Sequence, residues 1–262
     1  MILNVNAAEI HVEETGEGKT IILVHGTMLD SRLWAPQVEI LKLGFRVLTY
    51  DLRGHGKSSP LPGMPFSHVA DLEGILNALG IDKAFIVGAS VGGVIATNFA
   101  HEHPHRTRAM VLVSSELVGA PNDENHIRFL ASLKLAMRTG GPEKAVKRYM
   151  ESELMKVVSR KPIARKRIED MLSSHTWEVY KEGSPSGFKK AISRLELSEI
   201  HLPTLVIYGE KDLPRFIENA KILASNIPDA GLVAIPDAGH YPSLESPDFF
   251  NSKLIEFIES CR

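Results

Sequence analysis

Cysteine is almost absent: Cys261, beside the C-terminal residue, is the single one in 262. That excludes an intrachain disulfide framework and any multi-cysteine zinc site. An excess of positive charge is missing too. The 30 Lys and Arg stand against 32 Asp and Glu, a formal net charge of −2. A nucleic-acid binder would usually be clearly basic, so no nucleic-acid partner is expected. No apolar run approaches the ~20 residues that span a bilayer, and no membrane partner is expected either. The opening Met1-Ile2-Leu3-Asn4-Val5-Asn6 lacks a basic stretch followed by a long apolar one, so the expectation is a cytoplasmic protein without a secretory signal. Internal repeats and low-complexity segments are also missing. What remains is ordinary in composition, 44% hydrophobic and 24% charged. A chain of this length buries a full core, and fits one α/β domain with an insertion better than two independent domains.

In chain order, Ile2 to Asn6 and Glu9 to Glu13 alternate apolar with polar residues, as in a half-exposed hairpin. Thr20 to Gly26 is a continuous apolar run, expected for a strand buried on both faces. Asp30-Ser31 is placed to cap a helix holding Leu33, Trp34, Val38, Ile40 and Leu41. A strand at Phe45 to Tyr50, a Pro/Gly loop and a helix from about Ser67 to Leu79 follow, then a short apolar run starting at Ala84, read as a buried strand, a helix, and a strand at 109–113. From 117 to 199 no strand is evident; several helices are expected, broken at Thr139-Gly140-Gly141-Pro142 and at Gly183-Ser184-Pro185-Ser186-Gly187. Alternation resumes with strands at 204–208 and 232–235 and helices near Arg215 to Leu223 and Asp248 to Ser260. The pattern predicts an α/β fold with a doubly wound, mostly parallel sheet: a core of 1–116 and 200–262, and a helical cap inserted at 117–199.

The chemistry is expected where the apolar run from Ala84 ends in Gly88-Ala89-Ser90-Val91-Gly92 and a helical pattern starts at once. Strand, strained turn, helix is the arrangement that exposes a nucleophilic serine. Bulky side chains at Gly88 and Gly92 would clash with the strand or helix. An acid and then a histidine must follow in the chain, and Asp212 and His240 each come just past a predicted strand. In an open parallel sheet, ligands gather beyond the carboxyl ends of the strands, so Ser90, Asp212 and His240 are able to converge. A free hydroxyl is a poor nucleophile at neutral pH, so a neutral imidazole must take its proton, and a carboxylate fixes the tautomer. The oxyanion needs donors, predicted as the Val91 N–H and one N–H from the loop after His25-Gly26. Glu116, past the strand ending at Val113, competes with Asp212 as the acid, and Asp212 has helix capping as an alternative role.

With His25-Gly26, Asp51-Leu52-Arg53-Gly54-His55-Gly56-Lys57-Ser58, Gly88-Ala89-Ser90-Val91-Gly92-Gly93, Gly209-Glu210-Lys211-Asp212 and Gly239-His240, the sequence resembles the α/β-hydrolase superfamily over nearly its whole length. Size and small cap are similar to the branch of carboxylesterases, enol-lactonases, carbon–carbon bond hydrolases and cofactor-free haloperoxidases. The resemblance implies Thr27 as the second oxyanion donor, a small-molecule ester or lactone as substrate, and no cofactor or metal. A carbon–carbon bond hydrolase with the same triad, and a ligand-binding receptor on this fold, are the alternatives. Ala89 stands where many relatives are polar, and Ser90 argues against the acid-nucleophile dehalogenases and epoxide hydrolases. His25 and His55 read as structural braces. Between 121 and 197, 16 Lys and Arg face 10 Asp and Glu; these cations are read either as a solvated surface or as an attractor for anionic substrates.

Overall fold

A computed structural model of the chain describes residues 1–117, 123–180, 187 and 192–261. Eight strands form one sheet in the order β1-β2-β4-β3-β5-β6-β7-β8. β1 (Ile2–Val5) and β2 (Ala8–Thr15) make the expected hairpin, with Asn6 and Ala7 both at positive φ in its two-residue turn. β2 pairs antiparallel with β4 (Arg46–Tyr50), and every later pairing is parallel. β3 (Thr20–Val24), β5 (Ala84–Ala89), β6 (Thr107–Val113), β7 (Thr204–Gly209) and β8 (Gly231–Ile235) continue the sheet.

The central strands are apolar at both parities because helices cover both faces. Ile21, Leu23, Val47, Phe85 and Val87 pack with Trp34, Leu41, Phe250 and Leu254, which brings α1 (Ala35–Leu41) and α9 (Pro247–Ser260) onto one face. Ile22, Val24, Leu48, Ile86 and Leu112 pack on the other with Leu72, Ile75, Ile95 and Phe99, from α2 (His68–Ala78) and α3 (Val91–Glu102). Each such buried side chain contributes about 1.5–3 kcal/mol, and together they fix the carboxyl ends of β3, β5, β7 and β8 along one edge.

Two elements depart from expectation. Asp30 caps a single 3-10 turn, Ser31–Trp34, before α1 begins; Pro36, in the first turn of α1, has no N–H to continue a ladder. The break expected at 139–142 is a kink inside α4 (Glu124–Met150), where Gly141 takes φ 68 and Pro142 restarts the helix. Between β6 and β7 the chain adds α5 (Pro162–Ser174) and α6 (Arg194–Ser198). The expected break at Gly183–Ser186 lies outside the described residues, as do Lys189 and Lys190 of the cations counted between 121 and 197. α7 (Pro214–Asn226), preceding β8, and α8 (Pro242–Glu245), a short turn the sequence did not announce, complete the chain. Among the described residues no helix is long and apolar enough to cross a membrane.

Candidate active site

Ser90 sits between β5 and α3 with φ 51 and ψ −116, a region L-residues avoid and occupy only when their surroundings enforce it. Three neighbours enforce it. The Ser90 N–H donates to Val113 O at 2.9 Å, and the Ser90 carbonyl accepts from Gly93 N at 3.0 Å and Glu116 N at 3.2 Å. A Cβ on Gly88 would lie 2.1 Å from Gly92 O, and one on Gly92 would lie 2.3 Å from Val24 O, so both positions admit only glycine. The Ser90 side chain accordingly stands clear of the backbone and half exposed.

Val91 opens α3 and so has no intrahelical acceptor for its N–H. Gly26 comes close enough to Ser90 that a Cβ there would be 3.0 Å from Ser90 Cβ. Beyond Gly26, Met28 holds φ 71, a second strained non-glycine residue on the wall that Ser90 also lines. Among the described residues, the Thr27 N–H has no bonded acceptor. The loop is held from behind by His25. Its Nε2 accepts from Leu52 N at 2.9 Å, which leaves Nδ1 protonated to donate to Gly26 O at 2.7 Å. Burial lowers the His25 pKa and keeps the ring neutral despite the pull of Asp51 and Asp30. His55 is likewise buried and donates from Nδ1 to Arg53 O at 2.9 Å. Both histidines brace loops.

Asp212 lies three residues past β7 and His240 five past β8. His240 Nδ1 is 3.2 Å from both carboxylate oxygens of Asp212. Asp212 also accepts from Leu213 N at 2.7 Å, while Leu213 itself occupies the cap position of α7; Asp212 does not cap that helix. Burial pulls the His240 pKa down, but the charges of Asp212, Glu116 and Glu245 outweigh it, so the net direction is up. Glu116 is engaged elsewhere: its Oε2 accepts from Arg215 Nη2 and its Oε1 lies 3.5 Å from His126 Nε2. It has no hydrogen bond to His240 among the described residues.

Ser90, Val91, Thr27 and His240 line one cavity of about 370 Å³, with Asp212 behind the imidazole. Its walls are mostly apolar (Met28, Leu33, Val94 and Phe216 from the core, Phe129, Leu130 and Leu154 from the helices after β6). This size and character suit a small organic ligand held by a few polar groups. A larger hollow of about 900 Å³ adjoins it, sharing His126, Phe129 and Leu154. Among the described residues, Arg128 and Arg148 are the only Lys or Arg between β6 and β7 that line that hollow. Sequence reasoning missed Tyr149 and Tyr241, whose hydroxyls are 2.5 Å apart at the cavity wall. It also missed Glu245, a buried carboxylate whose charge acts on His240. The signal for Glu245 is faint: one acid in Tyr241-Pro242-Ser243-Leu244-Glu245, a segment otherwise built to be buried.

Proteins similar to this chain in sequence and in structure are numerous. The chain is 30% identical to a pimeloyl-[acyl-carrier protein] methyl ester esterase of Chromobacterium violaceum, over 96% of this chain and 98% of that protein. It is 29% identical to a 2-hydroxy-6-oxononadienedioate/2-hydroxy-6-oxononatrienedioate hydrolase of Comamonas testosteroni, over 95% and 91%. The enol-lactonase of Burkholderia xenovorans superposes with a TM-score of 0.84 at 28% identity, covering 99% of this chain and all of that one (100%). The family profile of the alpha/beta hydrolase fold matches residues 19–247. With that match, the eight-stranded sheet and hydrolases among its relatives, the chain belongs to the α/β-hydrolase superfamily.

Proposed function

We propose that the protein is a serine hydrolase that cleaves a small ester or lactone through an acyl-enzyme. Ser90 is the nucleophile, His240 the general base and then acid, and Asp212 the carboxylate that orients it. Val91 and Thr27 N–H groups receive the oxyanion, and the helices within 117–199 form a cap over the cavity. One observation carries this reading: a serine held at φ 51 on a strand–helix turn shares a mostly apolar cavity with a histidine backed by a buried carboxylate. Storing strain at Ser90 costs of order 1–3 kcal/mol, which a plain turn would avoid.

Attack by Ser90 Oγ on the carbonyl carbon passes its proton to His240 Nε2, while Nδ1–H remains bonded to Asp212. The negative charge moves to the carbonyl oxygen and is met by the two amides. Collapse expels the alcohol, which takes the proton back from the imidazolium. Water, deprotonated by the same imidazole, then releases the acid. The similarity to an esterase and an enol-lactonase supports ester and lactone substrates.

The test is adduct mapping and turnover on purified protein. A fluorophosphonate should label Ser90 alone, p-nitrophenyl butyrate should turn over many times, and Ser90→Ala should lose at least ~10³-fold in kcat while remaining folded. Label on another serine would end the proposal. The Comamonas relative favours one second reading, a carbon–carbon bond hydrolase with the same triad. A diketone-like substrate included in the panel and cleaved faster than every ester would select it.

A further inference from the structure

A second carboxylate whose charge acts on His240 lies outside the cavity lining. Glu245 ends α8, is 4% exposed, and folds back so that its Oε2 accepts from the main-chain N–H of Gly239, the residue before His240. Its other oxygen, Oε1, is buried without a hydrogen-bond partner among the described residues, and lies 3.3 Å from where a Gly239 Cβ would stand. A neutral residue would satisfy the one N–H equally well. A buried carboxylate with an orphaned oxygen is costly when charged, and its presence here asks for a use.

We propose that Glu245 is a positioning residue for the catalytic histidine: it clamps the Gly239–His240 backbone and holds a second negative charge that acts on the imidazole. The inference rests on His240 being the general base and deepens that reading. Asp212 fixes the ring from Nδ1; Glu245 fixes the chain that carries the ring and stabilises the imidazolium formed when Ser90 gives up its proton. Among the described residues, the titratable groups whose charges act on it are His240, Lys161 and Asp212, and it acts in turn on Tyr241. Lys161, from the segment between β6 and β7, donates to the Glu245 main-chain oxygen and approaches Ser246 Oγ at 3.4 Å.

Burial raises the Glu245 pKa to about 7, against the Gly239 amide, His240 and Lys161, which lower it. His240, pulled down by burial, is raised overall, with Glu245 among the causes. Each charge favours the other, so the two titrate as a coupled pair.

Glu245→Gln keeps an acceptor for Gly239 N–H and removes the charge. Its expected result is a downward move of about half a pH unit or more in the His240 ring titration, followed by NMR with the signal identified by its loss in His240→Gln. The acid limb of kcat/KM should move down with it, and the plateau should fall roughly three- to tenfold with KM for a neutral ester unchanged. A fall in activity with the His240 midpoint unmoved would overturn the proposal, leaving Glu245 as packing alone. If the variant does not fold, the native protein decides: the His240 signal should show a second inflection near pH 7 from Glu245, and a single-step titration would overturn the idea. The ring titration needs no turnover. Failure of the Ser90 reading and failure of this one are therefore seen separately.

Discussion

At the scale of single residues, contact favours one of the two acids proposed for His240. Asp212 offers both oxygens to Nδ1 at 3.2 Å, whereas Glu116 spends its carboxylate on Arg215 and His126. Asp212→Asn presents an amide that favours the wrong imidazole tautomer, and is expected to cut kcat by roughly 10³–10⁴. Glu116→Gln leaves the His240–Asp212 contact intact and should change kcat less than about threefold, although it removes one distant charge that raises the imidazole. Steady-state kinetics of both variants on one ester make the check, and the opposite ranking would transfer the orienting role to Glu116. These residues were legible because each belongs to a short local pattern: a serine between glycines, an acid or a histidine just past a strand. Glu245, Tyr149 and Arg215 were not, since their partners are tens to about a hundred residues away or across a turn with no distinctive residues. Their meaning arises only when helices close on the sheet.

At the scale of elements, the existence and type of the strands and longer helices were readable from periodicity, and the ends and short turns were not. β3, β5 and β6 announce themselves as apolar runs because helices cover both faces. The Gly140-Gly141-Pro142 break read as a helix end is a kink, because one glycine at φ 68 redirects the chain and proline is tolerated in the first turn beyond it. One connection between elements carries a testable energy. Arg53, in the loop after β4, donates from Nε and Nη2 to the two oxygens of Asp71 in α2 at 2.6 and 2.7 Å, and from Nη2 to Asn6 O at 2.8 Å. Both charges are buried. Removing one partner strands the other, so Asp71→Ala is expected to destabilise the fold by about 3–5 kcal/mol. Adding Arg53→Met should return part of that loss, because the orphaned guanidinium disappears. Urea unfolding of the two single variants and the double variant reads the coupling, and additive losses would show that the pair acts as two independent contacts.

Across the whole molecule, eleven histidines in the sequence look unremarkable for a chain of net charge −2, yet folding gathers several of them out of water. The ring centroids of His25 and His55 lie 5.3 Å apart, and those of His55 and His175 lie 4.9 Å apart. This column joins the loop after β3 to the chain following α5, where Trp177 N donates to His175 Nδ1 at 2.7 Å. Burial is the leading cause in each case. It lowers His25, drives His55 well below its ordinary value, takes His68 to about 3 and takes His175 to about 4. Repulsion from His25 adds to it in His55, His68 and His175. The unfolded chain binds these protons below about pH 6.5 and the folded chain refuses them. The stability they contribute is therefore full above that pH and is lost as pH falls toward 4 and 3. Two groups act the other way. Glu245, raised from 4.5 to about 7, stabilises the folded state on acidification, as does His240. His175, lowered from 6.5 to about 4, offsets Glu245 by itself, and His25, His55 and His68 outweigh His240. The net sign is a loss. Between pH 7 and pH 5 the Tm should fall by roughly 5–10 °C, since each kcal/mol is worth about 2–4 °C in a protein of this size. The column ties the segment between β6 and β7 to the sheet, so the hydrogen-exchange protection of the Trp177 amide, taken relative to the intrinsic rate at each pH, should fall with acid before protection in β5 does. A Tm that stays level or rises over this range would mean that the buried imidazoles accept protons in place, with water or local opening relieving them.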